Sequence, residues 1–368
     1  MRKARRNSIQ SLFLAAALSA GLGFVSPASA QEHSYIVDLN SKTATDLGTL
    51  EGYNYPNGIN DAGQAVGQFN TAAGLIHAFI TGPNGAGTTD LGTLGGNFSS
   101  AIRINSSGQV VGVSDTAAGD THAFITGPNG VGMIDLGTLG FPNGINDAGR
   151  VVGYSDTAAG LHRAFITGPN GMGMTDLGTL GGSYSSAAGI NAAGQVVGWA
   201  DTASGNQHAF ITGPNGMGMT DLGTLGGTDS SASGINAAGQ VVGWYSGGIE
   251  GGTHAFITGP NGVGMTDLGT LGAYESYGVG INDAGQVVGE FTGQGGAFIT
   301  GPNGVDVTDL NSVVNLPGVI LIDAMAINNH AQILATGVIG VIPEPEPYAL
   351  LLAGLGLIGV MACRRKPA

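Results

Sequence analysis

Three markers, each recurring seven times at intervals of 41 to 46 residues, predict an all-β fold: a seven-bladed β-propeller built from four-stranded repeats. Asp-Leu-Gly-Thr-Leu, or a close variant, starts at Asp46, Asp90, Asp135, Asp176, Asp221, Asp267 and Asp309. Ile-Asn followed by Gly and an apolar run starts at Ile59, Ile104, Ile145, Ile190, Ile235, Ile281 and Ile327. His-Ala-Phe-Ile puts its aromatic at Phe79, Phe124, Phe165, Phe210, Phe256 and Phe298, with Tyr35 as the seventh.

Within one copy the apolar segments are 208–212, 219–225, 232–236 and 240–245. Segments this short, rich in Val, Ile, Phe and Thr, read as strands, and no helical period is sustained. Between the first two lies Gly213-Pro214-Asn215-Gly216. Pro presets φ for a tight turn, and Asn and Gly accept the positive φ that a reversal needs. Between the last two lies Asn236-Ala237-Ala238-Gly239, where the Asn side chain can bond backbone two residues on and Gly closes the hairpin. Paired Val beside Gly and Ala fits sheets buried on both faces.

A blade cut as Ile-Asn strand, Val-Val strand, His-Ala-Phe strand and Asp-Leu-Gly strand leaves two strands over at each end. Residues 33–50 supply the last two strands and 319–338 the first two, so one shared blade would close the ring without an open sheet edge. The rival architecture, a linear solenoid, needs polar caps, and the sequence shows none.

The ends differ in kind. Residues 1–30 read as a secretory signal peptide: Arg2, Lys3, Arg5 and Arg6 precede the apolar run 12–25, and Ala28-Ser29-Ala30 is a small-residue cleavage site. An uncleaved anchor shares this chemistry. The repeat region is 31–340. Residues 341–368 hold Pro343-Glu344-Pro345-Glu346-Pro347, an uncharged stretch 348–363 and the bases Arg364, Arg365 and Lys366. Sixteen residues span about 24 Å as a helix, short for a bilayer, and the bases would stay on the cytoplasmic side. A buried helix is the alternative, opposed by a surface apolar all round.

These C-terminal residues resemble the PEP-CTERM sorting signal, carried here by Pro343, Glu344, Pro345, Arg364 and Arg365. The resemblance implies an exosortase-type membrane protease as partner. It also implies transient anchoring in the inner membrane of a Gram-negative bacterium, and a destination at the cell surface, outer membrane or extracellular matrix, beside exopolysaccharide machinery. The repeat markers resemble the HAF repeat family, from His77-Ala78-Phe79, His122-Ala123-Phe124, His208-Ala209-Phe210 and His254-Ala255-Phe256. That resemblance implies an exported repeat fold and brings no activity with it.

Residues 31–342 hold four bases against 23 acids, a net charge of −19. Such a surface repels phosphate backbones, so nucleic acid is not an expected partner. Charged residues are 10% and apolar ones 42%, which is not the composition of a disordered polyampholyte. The only cysteine, Cys363, lies in the terminal stretch, so the repeat region has no disulfide and relies on packing. Cys363 itself reads as apolar filler.

No cofactor or metal is expected. Six histidines recur once per repeat and would lie too far apart to share an ion, and they read as strand-end groups bonding local backbone. The repeated Asp of Asp-Leu-Gly read as acceptors of backbone N–H groups at a turn. Asp115, Asp156 and Asp201 head acidic loops without the ligand density of a calcium loop. Gly181-Gly182 opens no helix for a phosphate, and no Gly-x-Ser-x-Gly elbow occurs.

Residues that break the repeat say more. Tyr154, Trp199 and Trp244 follow Val-Val-Gly in three successive units and form a candidate sugar-stacking platform, unless they fill space between blades. Tyr274, Glu275 and Tyr277 form a second irregular site. The expected function is that of a non-enzymatic, surface-targeted protein with a structural or ligand-binding role, extracellular polysaccharide being the candidate ligand. A carbohydrate-active enzyme is the alternative. It would need a carboxylate pair, drawn from Glu250, Glu275 and Glu290.

Overall fold

A computed structural model describes residues 32–48, 54–247, 251–293, 296–314 and 316–339. The signal peptide, the 348–363 stretch and the sorting residues Pro343, Glu344, Pro345, Arg364 and Arg365 lie outside the described residues, as do Ala28, Ala30 and Glu250. No helix among the described residues is long and apolar enough to cross a membrane.

Residues Glu32–Gly340 form one compact unit, and the fold is all-β, with repeated four-stranded sheets. A representative sheet runs Gly181–Ile190, Val196–Thr202, Gln207–Thr212 and Met219–Asp221, each strand antiparallel to the next. Among the described residues five sheets have four strands. An eight-stranded sheet consists of two such meanders joined by a single parallel pair, Ile76 with Phe98. The last strand of each repeat is shorter than its apolar segment suggests. In this copy it stops at Asp221, whose Oδ1 accepts the N–H of Gly223 at 2.8 Å, and Gly223 turns the chain at a φ of 79°.

The repeat region closes by joining its first and last described strands. Glu32–Asp38 pairs along its whole length with Gln332–Ile339, so the sheet order is Thr43–Asp46, Glu32–Asp38, Gln332–Ile339, Val319–Ile327. No edge is left unpaired at that joint.

The core lies between sheets. Phe79, Phe124, Phe165, Phe210, Phe256 and Phe298 are fully buried. Phe210 packs with Val196 and Ala200 of its own sheet and with Val152, Ala164 and Ile166 of the preceding one. Glycine makes room for this. A Cβ on Gly198 would lie 2.0 Å from the Ser186 carbonyl oxygen, so no larger residue fits there without moving the strand. Neighbouring sheets are also tied by serines: Ala164 N–H donates to Ser185 Oγ at 2.9 Å, and that hydroxyl donates to the Gly178 carbonyl at 2.6 Å.

Candidate functional site

The first strands of successive sheets pack side by side, and the succession closes where Val319–Ile327 meets Asn54–Ile59. Each carries the Ile-Asn pair at its end, and the Asn side chain does two jobs. Asn191 Oδ1 accepts the Gln195 backbone N–H at 3.0 Å, tightening its own turn. Its Nδ2 donates to the Asn236 carbonyl of the next sheet at 3.2 Å. The same bond runs from Asn60 to Asn105, Asn146 and Asn191, then from Asn236 to Asn282, Asn328 and back to Asn60, at 2.9–3.3 Å. A buried amide left without these partners would be costly, so the ladder fixes the spacing of the inner strands.

Inside this ladder lie two cavities, back to back, of about 250 and 160 Å³. They share a collar of isoleucines that includes Ile104, Ile145, Ile190, Ile235, Ile281 and Ile327. The larger is rimmed by Asp61, Asp147 and Asp283. Each carboxylate accepts a backbone N–H across a sheet boundary, from Asn329, Ser106 and Ala237 respectively, at 2.9 Å. Beyond that collar the smaller cavity is lined by glycines, Ala188, Ser233, Val279, Met325 and Ala326, and by one charged side chain, Arg103. Its Nη1 donates to the Asn57 and Ile102 carbonyls at 2.9 Å. Burial pushes its pKa below the ordinary value. Sequence reasoning missed this residue. The signal was present: Gly58, Gly144, Gly189, Gly234, Gly280 and Ala326 stand at the equivalent place before the Ile of each other unit.

The repeated histidines correct an expectation. They bond carboxylates rather than local backbone: His33 with Asp46, His77 with Asp90, His122 with Asp135, His208 with Asp221 and His254 with Asp267, at 2.8–3.1 Å. The same Asp also accept the Gly N–H two residues on, for example Gly137 to Asp135 at 2.7 Å. His122 first, and then that N–H, hold the Asp135 carboxyl below its ordinary range. In the unit where Arg163 takes the histidine's place, His162 turns to Asp156 instead. Among the described residues no three His, Cys, Asp or Glu side chains converge on a point where an ion could sit.

Tyr154, Trp199 and Trp244 occupy the second strands of successive sheets, all half-buried. No ring contact joins any two of them. Trp244 meets Tyr277 edge-on at 6.3 Å. Tyr154 stacks on Phe141 at 5.8 Å with planes 7° apart, and meets His162 at 5.0 Å, which in turn reaches Tyr184 at 6.1 Å. Phe141 and Tyr184 are exposed, so these four rings form a solvent-facing strip across two sheets.

Of the singled-out acids, Glu275 accepts from Tyr277 Oη at 3.1 Å and Thr292 Oγ1 at 3.2 Å. Glu290 is half-buried, and its pKa is pushed up to about 7, first by burial and then by the Asp323 carboxyl of the next sheet. Asp323 in turn accepts from Thr336 Oγ1 at 3.1 Å.

Residues 341–366 match the PEP-CTERM protein-sorting motif, which marks an exported surface protein processed by an exosortase. Among curated proteins none matches the chain. Among solved structures, the β-propeller domain of the Trilobed protease from Pyrococcus furiosus is similar at a TM-score of 0.52 and 11% identity, over 75% of this chain and 87% of that one. It is described as having an open velcro topology. A putative TolB from Agrobacterium tumefaciens (TM-score 0.48, 11% identity, 66% and 89% covered) and YCF48 from Cyanidioschyzon merolae (0.49, 12%, 77% and 95%) are more distant. The first of these likenesses shows a propeller-like fold and nothing about activity.

Proposed function

We propose that the chain is a seven-bladed propeller of HAF-type repeats that binds glycan, without catalysis, in the bacterial envelope or extracellular matrix. Export would remove residues 1–30 after Ala30, leave 31–340 as the binding domain, and hold 348–363 briefly in the inner membrane until an exosortase acts. The asparagine ladder supports the blade count, since each of the seven Ile-Asn markers contributes one link.

The observation that carries the binding role is the strip of Phe141, Tyr154, His162 and Tyr184. Two parallel rings at a solvent boundary present flat apolar faces of the kind that sugar rings stack on, with polar edges available for hydroxyl groups. The full chain on a glycan array should retain a polysaccharide without turning it over, and Tyr154→Ala should weaken retention about tenfold, roughly 1.4 kcal/mol. Retention that survives Tyr154→Ala unchanged would reject the strip. Silence across the array would leave only a structural role.

One observation favours a second reading, a carbohydrate-active enzyme. Glu290 and Asp323 form a carboxyl pair in which one partner keeps its proton to near neutrality, the property a general acid needs. Saccharide turnover abolished by Glu290→Gln would establish that reading over the first.

A further inference from the structure

We propose that the smaller axial cavity binds a carboxylate, borne by a small organic acid or an acidic sugar, through the guanidinium of Arg103. At the same place in the other units stand five glycines and an alanine, so one unit projects a cation into a space that the others leave empty. The hydrogen bonds of Arg103 leave it half used. Nη1 is committed to two carbonyl oxygens, which fixes the guanidinium plane. The Nε and Nη2 edge has no protein acceptor among the described residues, and neither nitrogen is sealed from water. That edge is the two-donor fork that a carboxylate fits with both oxygens.

Charge points the same way. Every ion pair among the described residues is a His–Asp pair, so none of their carboxylates pairs with Arg103. A half-buried cation without a counter-ion is costly, and an incoming anion removes that cost. The Asp61, Asp147 and Asp283 rim repels anions from the opposite side of the isoleucine collar, so the ligand enters from the face nearer Arg103. A cavity of about 160 Å³ holds roughly five waters, enough for a carboxylate and the few atoms behind it.

Titration calorimetry on the full chain would use sodium acetate, sodium glucuronate, glucose and inorganic phosphate. Saturable binding of both carboxylates, with glucose silent, is the expected result. Binding of glucuronate but not acetate assigns the site to an acidic sugar, and equal affinities assign it to the carboxylate alone. Arg103→Gly installs the residue of the neighbouring repeats, and Arg103→Ala that of Ala326, so both should keep the wild-type melting temperature while losing at least tenfold in affinity. Binding of phosphate alone, no carboxylate binding, or binding that both folded variants retain within twofold would overturn the proposal. The aromatic strip plays no part, so Tyr154→Ala should leave this affinity unchanged.

Discussion

The sheet that joins the two ends of the repeat region and the sheet of residues 181–221 follow one backbone plan but are held by different side chains. In the internal sheet, Ser185 hands a hydrogen bond across to the previous sheet, while the His–Asp pair is common to both sheets, His208 with Asp221 and His33 with Asp46. The preceding joint of the closing sheet lacks that serine. Asn311 replaces it, donating to the Leu321 carbonyl at 2.9 Å and accepting the Leu321 N–H at 2.8 Å. A one-turn helix, Leu310–Val313, capped by Asp309, stands where other units have extended chain. Its core position is held by Tyr35 rather than Phe, and Glu290 and Asp323 meet at its border. What passes unchanged through both sheets is the asparagine ladder, the strand pairing and the His–Asp pair within each sheet. Closure therefore depends on backbone and amide groups, and the side-chain joints are free to vary.

That comparison can be broken in four ways. The largest effect is expected from core truncation. Phe210→Ala in the internal sheet should cost about 3–5 kcal/mol, and Leu334→Ala, fully buried with Ile36, Leu47 and Ala65 at the closure, about 2–5 kcal/mol. Urea unfolding measures both. A closure that were merely peripheral would give less than about 1 kcal/mol for Leu334→Ala.

Next come the ladder amides. Asn191→Ala and Asn328→Ala each strip a buried carbonyl and a turn of their partners, at about 2 kcal/mol. Equal values mean that the ladder is continuous through the closure. A much smaller value for Asn328→Ala would mean that strand pairing alone holds the ends together.

The third test is pH. Glu290 titrates at about 7 in the folded protein, against about 4.3 for an unfolded glutamate. Between those values the folded state binds more protons, so stability falls as pH rises and levels off above the folded pKa. Solvent screening of a half-exposed pair reduces the effect to about 1 kcal/mol between pH 5 and 8. Melting curves across that range should show the slope in the wild type and not in Glu290→Gln. The smallest effect is expected at the internal sheet's ion pair, where His208→Gln should change stability by no more than about 0.5 kcal/mol, since Asp221 is well exposed.

The turn and strand plan was legible because its causes are local. Pro214-Asn215-Gly216 turns wherever it stands, with Asn215 at a φ of 58°, and paired valines beside glycine pack in whichever sheet holds them. The histidines were misread because their partner lies thirteen residues away on the next strand, a distance that only the hairpin register makes short. Trp199 and Trp244 share a sequence position with Tyr154, yet the exposed strip around Tyr154 runs through Phe141, His162 and Tyr184, which have no common motif.

By itself the sequence determined the repeat, the turns, the closing partners at the two ends and the sorting motif, because each is written in neighbouring residues or in their period. The tertiary structure alone decided what stands at the axis. An arginine two residues before the Asn105 turn is one base among a few until the inner strands converge, and only that convergence places it at a cavity with no carboxylate among the described residues paired to it.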